Sequence, residues 1–302
     1  MLSRWWRSDP EPFPRRCWRS PEQVTQIPFL DWGAQAGVCA GSADDLTGDR
    51  AEDEVTMDLR QGVDTWWTAI TTGFGRGDGL ELGPVQLLII LGVPLVITMT
   101  PAIWRFFGLF VTFVHELGHA FAALMTGRVV RGISLNFDHS GQMNSFGRVG
   151  FSATWAGFWG YPAPAVLGLV LITSAIYGWA PLALSLGALV LLVALIFIRN
   201  VSGVVIAVCT AVAAQLLVVF LPREGIAVFV AGLGVALALG SLKDLVKVIR
   251  VHTRRRNVQQ SDAYILSRGS AVPAGGWLTL FGLVIIGCAL GSAALLWSAY
   301  PV

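Results

Sequence analysis

A chain of 302 residues that is 54% hydrophobic and only 13% charged carries more apolar surface than a globular domain of that size can hide from water. This excludes an ordinary soluble domain and assigns the chain to a bilayer. The formal net charge of +2 is small and membrane topology accounts for the basic residues, which argues against nucleic acid as a partner.

Residues 1–80 read as an amino-terminal tail rich in Arg, Pro, Trp, Asp and Gly, without the short apolar core of a secretory signal. It is expected to be poorly ordered. Within it, residues 57–72 form an amphipathic stretch whose Trp66 and Trp67 suit an interfacial helix. Met57 is the expected natural start, with residues 1–56 an over-long reading of the gene.

Residues 81–302 read as one polytopic membrane domain. Leu82 to Trp104 and Phe106 to Gly127 are each long enough to cross, the first without charge and the second with none beyond one short motif. Val149 to Ile198 is long enough for two spans turning at Gly178-Trp179-Ala180-Pro181. Asn200 to Pro222, Gly225 to Leu242 and about Gly276 to Ser298 complete the set. The expected fold is an all-α membrane protein of about seven transmembrane helices, within a range of six to eight.

Basic residues stay on the cytoplasmic side, so Arg128, Arg131, Arg148, Arg199 and the run from Lys243 to Arg256 mark one face. The Arg-rich tail then puts the amino terminus in the cytoplasm. Cys17, Cys39, Cys209 and Cys288 show no paired spacing, so neither a zinc cluster nor a disulfide framework is indicated.

The chemically specific feature is His115-Glu116-Leu117-Gly118-His119, with no other ionisable group between Arg105 and Arg128. Helical residues four apart share a face, so His115 and His119 can both present ring nitrogens to one zinc ion while Glu116 stands beside it as a base. The bland alternative is two histidines bonded to neighbouring helices. That alternative leaves a carboxylate in lipid without a partner, at high cost.

This motif lies in the line Val114 to Ala120. With Thr126-Gly127-Arg128, Ser140-Gly141, the segment Ala156 to Tyr161, Arg199-Asn200 and Ser261-Asp262-Ala263, it resembles the site-2 protease family of intramembrane zinc metalloproteases, in its bacterial membrane-embedded peptidase-like branch. The resemblance covers about residues 84–300. It implies three spans around a zinc ion, a short membrane-associated β-hairpin after the motif helix, and cleavage of membrane-embedded protein substrates in a bacterial cell membrane. The residues support the hairpin separately, with an ordinary cytoplasmic loop as the alternative: Val129 to Phe137 is rich in β-branched and aromatic residues, and Asp138 to Gly141 is a turn signal before Gln142 to Phe146.

The chain departs from the family in one respect. The usual third ligand is an Asp in a Leu-Asp-Gly sequence, and none follows Asn200. Of the remaining carboxylates, Asp244 ends the sixth span at a depth comparable with His119 and is the first choice. Asp262, in the loop before the last span, is the second. Asp244 can instead pair with Lys243 or Lys247, and Asp262 can instead cap a short helix. Asn200, polar inside a span, is a candidate for holding the substrate backbone, or else for bonding a neighbouring helix. Val129 to Phe137 is the candidate edge strand for an unwound substrate.

The function expected is therefore zinc-dependent intramembrane proteolysis with Glu116 as general base. The alternatives are a non-proteolytic relative acting as a scaffold, and a transporter in which the ionisable groups carry ions.

Overall fold

Proline and glycine set the element boundaries. The structure, a computed structural model, describes residues 60–68, 71, 75–255 and 258–300, and the chain from Gln61 onward forms one unit. Residues 60–68 are helical and exposed, Trp66 and Trp67 included. The expectations for residues 1–59 lie outside the described residues.

Helix α1 runs from Pro84 to Met99 and α2 from Pro101 to Met125, each with proline in its first turn. Only Thr100 separates them, and its extended backbone (φ −86°, ψ 113°) follows from the steric restriction on a residue preceding proline. This corrects the expected boundary at Arg105. A charge was taken to end the span, whereas Pro101 ends it and Arg105 lies within α2.

Strands β1 (Val129–Leu135) and β2 (Gly141–Phe146) follow as an antiparallel hairpin, with Leu135 opposite Gly141 and Val129 opposite Phe146. The turn is held by Asp138, whose carboxylate accepts from the Ser140 backbone N–H at 3.0 Å and from its hydroxyl at 2.5 Å. Those two bonds also keep the Asp138 carboxyl below its ordinary pKa. On its other side β1 pairs with the connection after α5: Ile133 N–H donates to Phe197 C=O at 2.8 Å and Arg199 N–H to Ile133 C=O at 3.0 Å. Both edges of β1 are therefore used, and the expected role of β1 as a free edge strand is corrected. Within the hairpin, β2 is the outer strand.

Helices α3 (Phe151–Phe158) and α4 (Pro162–Ile176) form a pair bent by 60°. A turn through Gly178 (φ 80°) leads to α5 (Ala180–Ala194). Then come α6 (Val201–Phe220), α7 (Arg223–Thr253), the short α8 (Asp262–Gly269) and α9 (Ala274–Ser298). Among the described residues, by length and composition, α2, α6, α7 and α9 can each cross a membrane, and the bent pair brings the total to five. Helices α1 and α5, at 16 and 15 residues, reach about 24 Å and 22 Å, short of a hydrocarbon core of about 30 Å. The expected seven are met only in part, because counting uncharged residues does not register the prolines and turns that stop these helices early.

Helix α7 is the axis of the bundle. It meets α4 where Gly168 faces Gly234, and a Cβ on either would lie 2.6 Å from the other's carbonyl oxygen. Close backbone approach at small residues is how helices associate where lipid supplies no hydrophobic drive. Gly168→Leu is expected to destabilise the bundle by about 1–3 kcal/mol or more by overpacking. Gly187→Leu, whose site on α5 has open space around it, should not. Thermal unfolding of the two variants in detergent checks this.

Candidate metal centre

The helical spacing of α2 turns His115 and His119 toward the α3–α4 bend, while Glu116 and His119 are buried at 5% and 7% exposure. His119 donates from Nδ1 to the Ala156 carbonyl at 2.8 Å, which leaves the lone pair on Nε2 facing inward. His115 presents its own Nε2 at 3.1 Å from that of His119, and its ring meets Tyr161 edge to face with centroids 4.8 Å apart.

The third donor arrives on α8. Asp262 Oδ2 stands 3.1 Å from His115 Nε2 and 3.3 Å from His119 Nε2. Ser261 caps α8 by accepting from the Tyr264 N–H at 3.2 Å and is bonded to His252 Nε2 at 2.6 Å, which ties the start of α8 to the end of α7. Leu266 seats the helix against Gly157 of α3. Burial by itself would raise the Asp262 carboxyl, but the two histidines outweigh it and hold the group below the usual carboxylate range.

Three donors at mutual separations of 3.1, 3.1 and 3.3 Å have the spacing of tetrahedral zinc ligands. With bonds of about 2.0–2.1 Å, the edge of such a tetrahedron is about 3.3 Å. Space is kept at the same point, because a Cβ on Gly160 would run into Nε2 of both His119 and His115. Two imidazoles and a carboxylate, with one ring oriented through its far nitrogen, form a donor set suited to zinc.

Glu116 lies beside this group with its carboxylate against the backbone of β2 at Gly141 and Met143. The structure thus brings His115, Glu116, His119 and Asp262 together. Asp244, the first choice from sequence, belongs to no metal-competent group among the described residues and lines a separate cavity on α7. Asn200 is engaged with the protein's own strand: Oδ1 accepts from Leu135 N–H at 3.1 Å, and Nδ2 donates to Leu135 C=O and to Ser202 Oγ. Sequence reasoning missed the Ala156 carbonyl, Gly160 and Tyr161 as parts of the site. Their signal was the pattern Ala156 to Tyr161, which resemblance marked without assigning tasks within it.

Residues 88–292 match the family model described as Peptidase M50B-like. The chain belongs to the Peptidase M50B-like family. It is thus a member of a membrane metallopeptidase family, as the resemblance to site-2 proteases implied. No curated protein and no solved structure matches it.

Gly160→Ala should push a methyl group between the two ring nitrogens. The expected result is zinc content well below one ion per chain with the helical circular dichroism retained. Full zinc occupancy in that variant would remove Gly160 from the site.

Proposed function

We propose that this M50B-like chain is a zinc-dependent intramembrane endopeptidase that cleaves membrane-embedded protein segments, with His115, His119 and Asp262 as metal ligands and Glu116 as general base. The observation that carries this reading is the triangle of His115 Nε2, His119 Nε2 and Asp262 Oδ2, with sides of 3.1–3.3 Å and a buried glutamate beside it. The same distances favour Asp262 over Asp244 as the third ligand.

Zinc, when bound, supplies Lewis acidity that polarises a peptide carbonyl and acidifies a water molecule. Glu116 takes a proton from that water as its oxygen bonds to the carbonyl carbon. It returns the proton to the nitrogen as the C–N bond breaks, so no net acid or base is consumed. Ala156 keeps His119 in the tautomer that leaves Nε2 available.

A transmembrane helix hides its carbonyls, so the substrate must unwind before attack. Strand β2 is the natural support for the unwound segment, because its Gly141 and Met143 backbone lies against Glu116. Asn200 acts at one remove, holding β1 and thereby the hairpin. The site lies among apolar helices, and the charge distribution supports a cell-membrane protein with its amino terminus in the cytoplasm.

Glu116→Gln should lower cleavage of a reconstituted transmembrane substrate by about 10²–10⁴-fold with zinc retained. Retained activity would remove Glu116 from the reaction, and wild-type protein that binds zinc without cutting any membrane substrate would indicate the non-proteolytic relative.

Asp262→Ala should release zinc during dialysis against a weak chelator, whereas Asp244→Ala should keep it. Metal analysis of the two purified variants decides, and the reverse pattern would make Asp244 the ligand.

A further inference from the structure

Helix α7 carries a second arrangement that proteolysis does not use. Lys243, Lys247, Arg250 and Arg254 recur at intervals of four, three and four, which puts them on one face. That face lines a cavity of about 960 Å³, closed on other sides by Trp104 and by the β1–β2 turn at Asp138 and His139. Lys243 is fixed in place: Nζ donates to the Thr98 carbonyl at 2.6 Å and sits 3.9 Å over the Trp104 ring. Among the described residues, the side chains of Lys247, Arg250 and Arg254 make no hydrogen bond or ion pair. Of the two carboxylates on the wall, Asp138 is engaged by Ser140, and Asp244 interacts electrostatically with His115, Lys247, His139 and Lys243 without closing to ion-pair distance with any of them. The cavity therefore presents unpaired positive charge.

Its depth along the helix identifies what the charge meets. Gly225 to Leu242 is uncharged and spans about 27 Å, close to the thickness of the hydrocarbon core. Lys243 then marks the border, and Lys247 and Arg250 lie about 6 Å and 10 Å beyond it, at the level of lipid headgroups. The wall is also mixed in character. Met99, Leu239, Leu242 and Val246 adjoin the cations, so the cavity matches an amphiphile with an anionic head rather than a soluble anion or a wholly polar peptide.

We propose that this cavity is a binding site for an acidic phospholipid, with the phosphate held by Lys247, Arg250 and Arg254 and the first part of the acyl chains against Met99 and Leu242. The site shares no residue with the metal centre.

The test uses the full chain reconstituted in nanodiscs of phosphatidylcholine mixed with phosphatidylglycerol, followed by extraction and native mass spectrometry of retained lipid. Wild-type protein should retain phosphatidylglycerol in preference to phosphatidylcholine. A basic residue near an anionic surface is worth about fivefold in affinity, so the combined substitution Lys247→Gln, Arg250→Gln and Arg254→Gln should reduce the preference by on the order of a hundredfold. The charge-keeping set Lys247→Arg, Arg250→Lys and Arg254→Lys should preserve most of it. A photoactivatable phosphatidylglycerol should also cross-link wild-type protein within 243–254, a readout that needs no variant to fold. Equal retention of the two lipids by wild-type protein, or cross-links spread over the bundle, would overturn the proposal. So would displacement of the retained lipid by glycerol 3-phosphate or by a soluble acidic peptide, which would show that the site takes a free anion or a protein segment instead.

Discussion

Three candidate donor atoms meet inside an apolar bundle, and much of the local architecture serves that meeting. His115 and His119 come from one helix, but the carboxylate that meets them is 147 positions further along from His115. A charged carboxylate among membrane helices is costly unless it is paired or bound to a cation, so Asp262 is tolerated where it faces two imidazoles. Holding it there takes a short helix with its own cap, a histidine from the end of α7 on that cap, and Gly157 to admit Leu266. Each device is small. Together they stop a loop segment from drifting away from a site that tolerates displacements of only a few tenths of an ångström.

The hairpin is bound to the same centre through Glu116. Strand β1 is held on one side by β2 and on the other by residues 197–199, with Asn200 fastening its end through both atoms of its amide. The arrangement is a small three-segment sheet whose outer strand runs past Glu116, the proposed general base. Positioning β2 and positioning Glu116 are consequently one problem: a Cβ at Gly141 would strike the carboxylate, and movement of the strand would move Glu116. A carboxamide bonds any extended backbone equally well, which is why Asn200 resembles a substrate anchor in sequence and serves the chain's own strand in the fold.

Helix α7 links the centre to the rest of the bundle. At 31 residues it is about 46 Å long, more than a bilayer core requires, and its surplus carries both the basic face and the histidine that steadies α8. The shorter α1 and α5 and the 60° bend between α3 and α4 are the counterpart of this long axis. The bend is where Ala156, Gly160 and Tyr161 approach the histidines, so the irregular part of the fold is the part that builds the site. Non-helical backbone at such a place is tolerable because it is covered by protein rather than exposed to lipid.

The membrane class, the paired histidines with their glutamate, the hairpin, and the turn at Gly178 were all legible in the chain, because each depends on local composition or on spacing within one element. Family membership was legible for the same reason. Which carboxylate joins the two histidines was not. Asp244 and Asp262 are both carboxylates downstream of the motif on the same expected face of the membrane, and choosing between them requires knowing that α8 folds back under the α3–α4 bend. The task of Asn200 and the outer position of β2 were hidden for a similar cause, since both depend on residues 197–200 lying beside β1, more than sixty positions away in the chain. A single sequence records which groups can coordinate or bond. Which of them meet is decided by long-range packing, because only there do sterics and the cost of unpaired polar groups in an apolar medium select one partner among chemically equal candidates.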